Sequence, residues 1–224
     1  NRTLDLKIGC SAMAAEWAYS GRNILVIPNG IDTKRMAFDP AARSEKRLEL
    51  GVEDKVLVGH IGRFIEQKNH DKVVSVFSEF HRANENSHLL LIGSGQDKER
   101  IFNKVQDRGL SEAVTFIDYT DRPEAYISAM DVMLMPSLYE GFGLVAAEAQ
   151  ANGLPVVISD KFPAEAVIIP GRVKVMALDM SDEEWSRALL EAAGRGRYVP
   201  DPDSLAKMDW QEMMESIKKV LISD

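Results

Sequence analysis

The sequence predicts an α/β fold, a Rossmann-like parallel sheet with helices on both faces. Short, continuously apolar runs recur at 56–61 (VLVGHI), 89–92 (LLLI), 114–117 (VTFI), 132–136 (VMLMP) and 155–159 (PVVIS). Amphipathic patterns separate most of them. The helix predicted over 71–85 aligns Val73, Val74, Val76, Phe77 and Phe80 on one stripe, and that over 96–108 aligns Ile101, Phe102 and Val105. Strands apolar on both faces must be covered on both faces, which parallel strands joined by right-handed helical crossovers achieve. At 224 residues and 45% hydrophobic content, the chain is long enough to bury one such core.

The first elements stand apart from this alternation. Residues 7–10 (KIGC) read as a strand end, and 11–21 (SAMAAEWAYSG) as a short helix closed by Gly21. The run 24–32 (ILVIPNGID) is an apolar strand entering a Pro-Asn-Gly turn. Asp39 caps a helix with Pro40 at its first position and Gly51 at its end. After the strand at 132–136, GLVAAEAQANG (143–153) reads as a helix stopped by glycine. Beyond residue 160, VIIPGRVKVMAL holds a last strand, and Ser181–Glu184 forms a capping box for a helix reaching Gly194. The terminal DWQEMMESIKKVLI sets Trp210, Met213, Met214, Ile217 and Leu221 at helical spacing, which suits ordinary core packing.

Composition narrows the function. A formal charge of −8 and a pI near 5.1 argue against general nucleic-acid or anionic-membrane binding, so any phosphate site must be locally basic. The single cysteine, Cys10, allows no internal disulfide and no zinc cluster, which fits a reducing cytosol. No run reaches the length of a membrane span, and NRTLDLKIGC lacks a signal-peptide layout, which leaves the Asn1-Arg2-Thr3 sequon without meaning. The histidines, at 60, 70, 81 and 88, share no ligand-like spacing. Asp201-Pro202-Asp203 is formally a DxD, but no strand leads into it, and it reads as a turn and helix cap. No metal and no other cofactor is expected.

Ligands of such sheets bind at the carboxyl ends of the strands, so the loops there hold the candidates. Glu140 lies in the loop PSLYEGFG and Glu148 within the helix that follows. Gly141 and Gly143 around Phe142 allow a ligand close to the backbone, and the helix start offers unpaired N–H groups to an anion. The helix dipole alone would favour acid near the turn, but not at 148, inside an alanine-rich face. GRFIEQKNH (62–70) puts Arg63 and Lys68 in one loop, fit to grip a diphosphate or to sit as solvated cations. Gly93 and Gly95 resemble the opening of a GxGxxG turn, yet Lys98 stands where its last glycine belongs. Asp118 and Tyr119 follow VTFI and either border a planar base or form a plain loop.

The segments VIPNGID (26–32), GRFIEQKN (62–69), LIGSG (91–95), VTFI and PSLYEGFGLVAAEAQANGLPVV (136–157) resemble, in order and spacing, the signatures of family 4 retaining glycosyltransferases of the GT-B fold. The likeness covers roughly 8–160 and points towards bacterial enzymes that build exopolysaccharide or capsule. It implies one half of a GT-B fold. Residues 1–22 would be a remnant of the N-terminal acceptor domain, 23–50 a linker and first helix, 51–200 the nucleotide-sugar donor domain, and 201–224 a C-terminal helical segment that crosses back. Such a chain would be inactive alone.

By position the resemblance gives Arg63 and Lys68, with Gly62, to the donor diphosphate. Glu140, with Gly141, Phe142, Gly143 and Leu144, goes to the sugar and distal phosphate, and Glu148 to the ribose. Gly93, Ile117 and Asp118 border the base, although that family expects a glycine at 118. Arg63, Lys68 and Glu140 would be catalytic, without metal. The partners implied are a UDP- or GDP-sugar and a glycan or lipid-linked acceptor, at the cytoplasmic face of the cell membrane with peripheral association. A non-catalytic nucleotide-sugar-binding module, another Rossmann-like regulator, or a nucleotide-sugar epimerase are the alternative readings.

Overall fold

The computed structural model describes residues 7–19 and 24–222; the sequon at 1–3 and the predicted helix stop at Gly21 lie outside them. Numbered in chain order, Lys7–Gly9 (β1) and Ile24–Val26 (β2) pair in parallel around the helix Ala12–Ala18 (α1). The main sheet consists of Val56–Ile61 (β3), Ser87–Ile92 (β4), Val114–Ile117 (β5), Val132–Met135 (β6), Val156–Ser159 (β7) and Val173–Met176 (β8). All neighbours are parallel, in the order β5-β4-β3-β6-β7-β8. The chain therefore winds outward from β3, returns to β6, and winds out on the other side. The crevice between the carboxyl ends of β3 and β6 is the switch point where such sheets bind ligands.

Each strand feeds two cores by simple alternation. Leu57, Leu90, Ile92, Met133, Met135, Val156 and Ile158 pack on one face under Pro123–Ala129 (α5) and Leu144–Ala151 (α6). Val58, Leu89, Leu91, Val132, Leu134 and Val157 pack on the other under His70–Ala83 (α3), Lys98–Asp107 (α4) and Asp182–Gly194 (α7). The helix Pro40–Leu50 (α2) starts and stops where the sequence places it: Asp39 accepts from the N–H groups of Ala41 and Ala42, and Gly51 closes it at φ 65°. Ser181 and Glu184 form the expected capping box of α7. Asp201 caps Pro202–Met208 (α8), with Pro202 in its first turn, so the DxD triplet is indeed a helix cap. The last helix, Trp210–Ile222 (α9), contains no buried residue; Trp210 is 45% and Leu221 61% exposed, which is not the core packing its spacing suggests.

The amino-terminal ends of β3 and β6 are locked by arginines. Arg47, only 7% exposed, donates to the carbonyls of Ala129 (2.9 Å), Val52 (2.8 Å) and Glu53 (3.1 Å) and to the Asp131 carboxylate (3.0 Å). Asp131 in turn accepts from the Leu57 N–H at 2.8 Å. Arg47→Ala leaves buried carbonyls without donors, and a loss of about 3 kcal/mol is expected in urea denaturation. Arg47→Lys, with one point charge in place of the fork, is expected to recover only part of it.

Candidate functional site

Two strand-end loops meet at the switch point. After β3, Gly62 donates to Ile92 O (2.9 Å), and the buried Phe64 donates to Ser94 O (2.8 Å), which lashes this loop to the end of β4. Gly93 must be glycine, since a Cβ there would lie 2.0 Å from Gly62 O and its φ is +149°. One turn of 3-10 helix, Glu66–Lys68, then leads to Asn69 at φ 53°, which donates its amide to Pro136 O at 3.0 Å. The loop after β6 answers: Leu138 N–H donates to Gln67 O (2.8 Å), and the Gln67 amide to Tyr139 O (3.0 Å).

This stitching brings Lys68 Nζ within 2.6 Å of Glu140 Oε1. The same oxygen accepts from Ser137 Oγ at 2.9 Å, and Ser137 O accepts from Ser159 Oγ, at the end of β7, at 2.6 Å. Glu140 is only 7% exposed, so the pair is a fixed, largely desolvated unit rather than a surface ion pair. Lys68 keeps two further donor positions for a ligand. Arg63, on the same loop, is exposed and forms no ion pair among the described residues.

Beyond Glu140 the chain turns through Gly141, the buried Phe142 and Gly143 into α6, which has no side-chain cap, so its first N–H groups are free for an anion. Lys68, Glu140 and residues 141–145 line a cavity of about 320 Å³ together with Cys10, Asn29 and Met135. A larger cavity, about 580 Å³, shares Phe142 with it but lies against α8 and α9, and neither Lys68 nor Arg63 lines it. A Cβ on Gly143 would meet the Phe162 ring at 2.5 Å at a φ of +87°, whereas on Gly141 it would find only Cys10 Sγ at 4.0 Å. Gly143→Ala is therefore expected to cost about 2 kcal/mol in thermal or chemical unfolding, and Gly141→Ala well under 1 kcal/mol.

Glu148 lies farther down α6 and does not line that cavity. Burial pushes its carboxyl up to about 7; Arg35 opposes the rise and Glu124 adds to it. Arg35 is itself held by Glu124 (3.1 Å) and by Asp121 O (2.6 Å). At the edge of the site, Ile117 O accepts from Gly93 N–H at 2.8 Å, and the exposed Asp118 pairs with Lys98. The structure thus gathers Lys68, Glu140 and the glycine turn into one cavity, whose lining does not include Arg63, Glu148 or Asp118.

Several contributors escape a reading by motif. Ser137 and Gln67 act through contacts with the opposite loop, and Asn29 and Cys10 reach the cavity from the small sheet. The histidines too are closer than their spacing suggests. His60 donates its Nδ1–H to Leu134 O at 2.8 Å, and its ring stands 4.6 Å from that of His70 beneath the Lys68 turn. Burial holds both neutral, His60 down to about 4 and His70 to about 2. Among the described residues no group of three or more His, Cys, Asp or Glu is able to hold a metal ion.

Residues 42–195, which carry both loops and Glu148, match the family model of glycosyl transferases group 1. This chain belongs to that family. As a group 1 glycosyltransferase chain it is 32% identical over 173 residues to the glycosyltransferase EpsF of Bacillus subtilis, covering 77% of this chain and 45% of EpsF. It is 30% identical over 191 residues to a GDP-mannose-dependent alpha-(1-6)-phosphatidylinositol monomannoside mannosyltransferase of Mycolicibacterium smegmatis, covering 81% and 48%. Its fold follows that of HepE from Anabaena, solved with UDP and glucose, at a TM-score of 0.85 and 20% identity, across 100% of this chain and 64% of HepE. The architecture is one Rossmann-like half of a GT-B fold, and the chain spans about half the length of the curated relatives it matches.

Proposed function

We propose that this chain is the donor-binding half of a family 4, retaining, metal-independent glycosyltransferase that uses a UDP- or GDP-sugar. The observation that carries the reading is the Lys68–Glu140 pair beside the uncapped start of α6, in one cavity at the switch point. A nucleoside diphosphate leaving a sugar gathers negative charge as the glycosidic bond breaks. Lys68, held by Glu140, and the first N–H groups of α6 stabilise that charge without having to reorganise, and Arg63, exposed on the same loop, adds a mobile cation. Glu140 holds Lys68 in place and presents its second oxygen to the sugar, and Glu148 accepts from the ribose hydroxyls. Front-face attack guided by the departing phosphate would give retention, and among the described residues Glu140 is the one carboxylate lining the cavity, which supports that route over a double displacement.

The acceptor, a glycan or a lipid-linked saccharide of a cell-surface polysaccharide, would be presented by the other half of the cleft, on the cytoplasmic side of the membrane. The domain boundaries at 22, 50 and 200 belong to this proposal, as does peripheral membrane association. No helix among the described residues is long and apolar enough to cross a membrane. Calorimetric titration with UDP-glucose and GDP-mannose, in EDTA and in magnesium, tests the metal-free reading. Equal affinity in both buffers is expected for whichever donor binds; binding that appears only with magnesium contradicts it.

A further inference from the structure

The glycine turn that opens α6 is held from outside the segment that matches the family model. Ser11, fully buried at the start of α1, donates its hydroxyl to Gly141 O at 2.5 Å and accepts from the Ala14 N–H at 3.0 Å, the N-cap bond of that helix. Cys10 adds a weak S–H bond to the same carbonyl at 3.6 Å. The next residue, Ala12, donates its N–H to Glu165 Oε1 at 2.9 Å, on a turn of 3-10 helix (Ala164–Ala166) that closely follows Phe162. The Phe162 ring is the group that a Cβ on Gly143 would strike. The first residues of α1 thus hold both flanks of the turn, Gly141 directly and Gly143 through the segment that carries Phe162.

Gly141 and Phe142 line the 320 Å³ cavity with Lys68, so the orientation of the peptide between them bears on any anion there. Glycine has no side chain to fix that plane, and a Cβ at 141 would find only Cys10 Sγ at 4.0 Å, so packing leaves the Gly141–Phe142 peptide free to turn over. The two polar groups of a planar trans peptide point in opposite directions. With the carbonyl drawn to Ser11, the Phe142 N–H faces away from it, and neither that N–H nor the Gly143 N–H makes a hydrogen bond among the described residues. Turned over, the same peptide would set a carbonyl oxygen where an anion beside Lys68 and the α6 N–H groups would meet repulsion. A hydroxyl suits the task because it donates and accepts at once: its proton goes to Gly141 O while a lone pair takes the Ala14 N–H. Alanine would lose both bonds, and threonine would keep both.

We propose that Ser11 is a positioning residue for the donor site: its hydroxyl fixes the Gly141–Phe142 peptide with the N–H turned to the diphosphate. This rests on reading the cavity as a nucleotide-sugar site. The test is calorimetric titration of wild type, Ser11→Ala, Ser11→Thr and Asp39→Ala with UDP and with GDP, together with the urea midpoint of each protein. For the nucleotide that wild type binds, Ser11→Ala is expected to bind about tenfold more weakly, the loss of one hydrogen bond to a charged group, and Ser11→Thr within twofold of wild type. Asp39→Ala removes the cap of α2, which does not line the cavity, and is expected to lower the urea midpoint as Ser11→Ala does while leaving affinity within twofold. Ser11→Gly, a tolerated N-cap without a hydroxyl, decides the matter should the alanine variant unfold. In the isotope-labelled chain the Phe142 amide nitrogen, which reports the bond to the carbonyl before it, is expected to shift in Ser11→Ala and to stay in place in Ser11→Thr. Unchanged affinity in the hydroxyl-free variants would overturn the proposal, and so would an equal loss in Asp39→Ala, which would trace the effect to stability alone. A wild type that binds neither nucleotide sinks the donor reading, and this proposal with it, before any variant is compared.

Discussion

Lys68→Ala is expected to weaken nucleoside diphosphate binding about hundredfold and to destabilise the fold by about 3 kcal/mol. Both effects come from one geometry. The ammonium lies 2.6 Å from Glu140 Oε1, with side-chain exposures of 17% and 6%, so its removal strands a desolvated carboxylate whose one other partner among the described residues is Ser137. Breaking one side of a buried pair is far more costly than removing both. The double variant Lys68→Ala/Glu140→Gln should therefore unfold at higher urea than Lys68→Ala alone, while binding donor no better. Arg63→Ala, which breaks no ion pair, should lower affinity without moving the urea midpoint. Equal stability of Lys68→Ala and wild type would show that the pair is solvated and remove the argument for a preorganised site.

Glu148→Gln is expected to make the protein more stable by about 2–3 kcal/mol at pH 8 and to change nothing at pH 4. The carboxyl stands at about 7 in the folded chain against 4.5 when exposed, chiefly through burial. The folded protein thus holds the proton more tightly than the unfolded chain. The stability this gives is complete below pH 4.5 and is lost as pH rises through about 7, a difference that corresponds to about 3 kcal/mol. A glutamine, which never ionises, escapes that loss. Urea midpoints at the two pH values check it, and an equal difference at both would contradict a buried, protonatable acid.

The same residue should couple to ligand. Ribose hydroxyls donate more strongly to a carboxylate than to a carboxylic acid, so UDP-glucose, whose phosphates do not titrate near neutrality, should bind about fivefold tighter at pH 8 than at pH 6. Glu148→Gln should bind more weakly and show no such slope. A costly acid kept inside an alanine-rich helix is the pattern expected where stability yields to function.

What was legible in the sequence was local or periodic. Asp39, Pro40 and Gly51 bound α2 because capping chemistry needs only neighbours, and the sheet declared itself through runs apolar on both faces. The placement of Lys68 and Glu140 on adjacent strand ends followed from topology once the alternation was read. The helix α5 left little trace, since seven residues are too few for periodicity to separate from a loop, whereas α8, as short, was announced by its Asp201 cap. Asn29 read only as part of a turn, because what fixes it is the backbone at Trp210, far along the chain. Glu148 was visible as an odd acid, but its coupling to Arg35 and Glu124 required the packing of α6 against the loops of other elements.

The most direct test of the donor site is an NMR titration of the isotope-labelled chain with UDP, GDP, UDP-glucose and GDP-mannose. Shifts confined to Arg63, Lys68 and residues 140–148, and abolished in Arg63→Ala/Lys68→Ala, are expected for at least one nucleotide. No shifts at millimolar ligand, or shifts clustered elsewhere on the sheet, would contradict it.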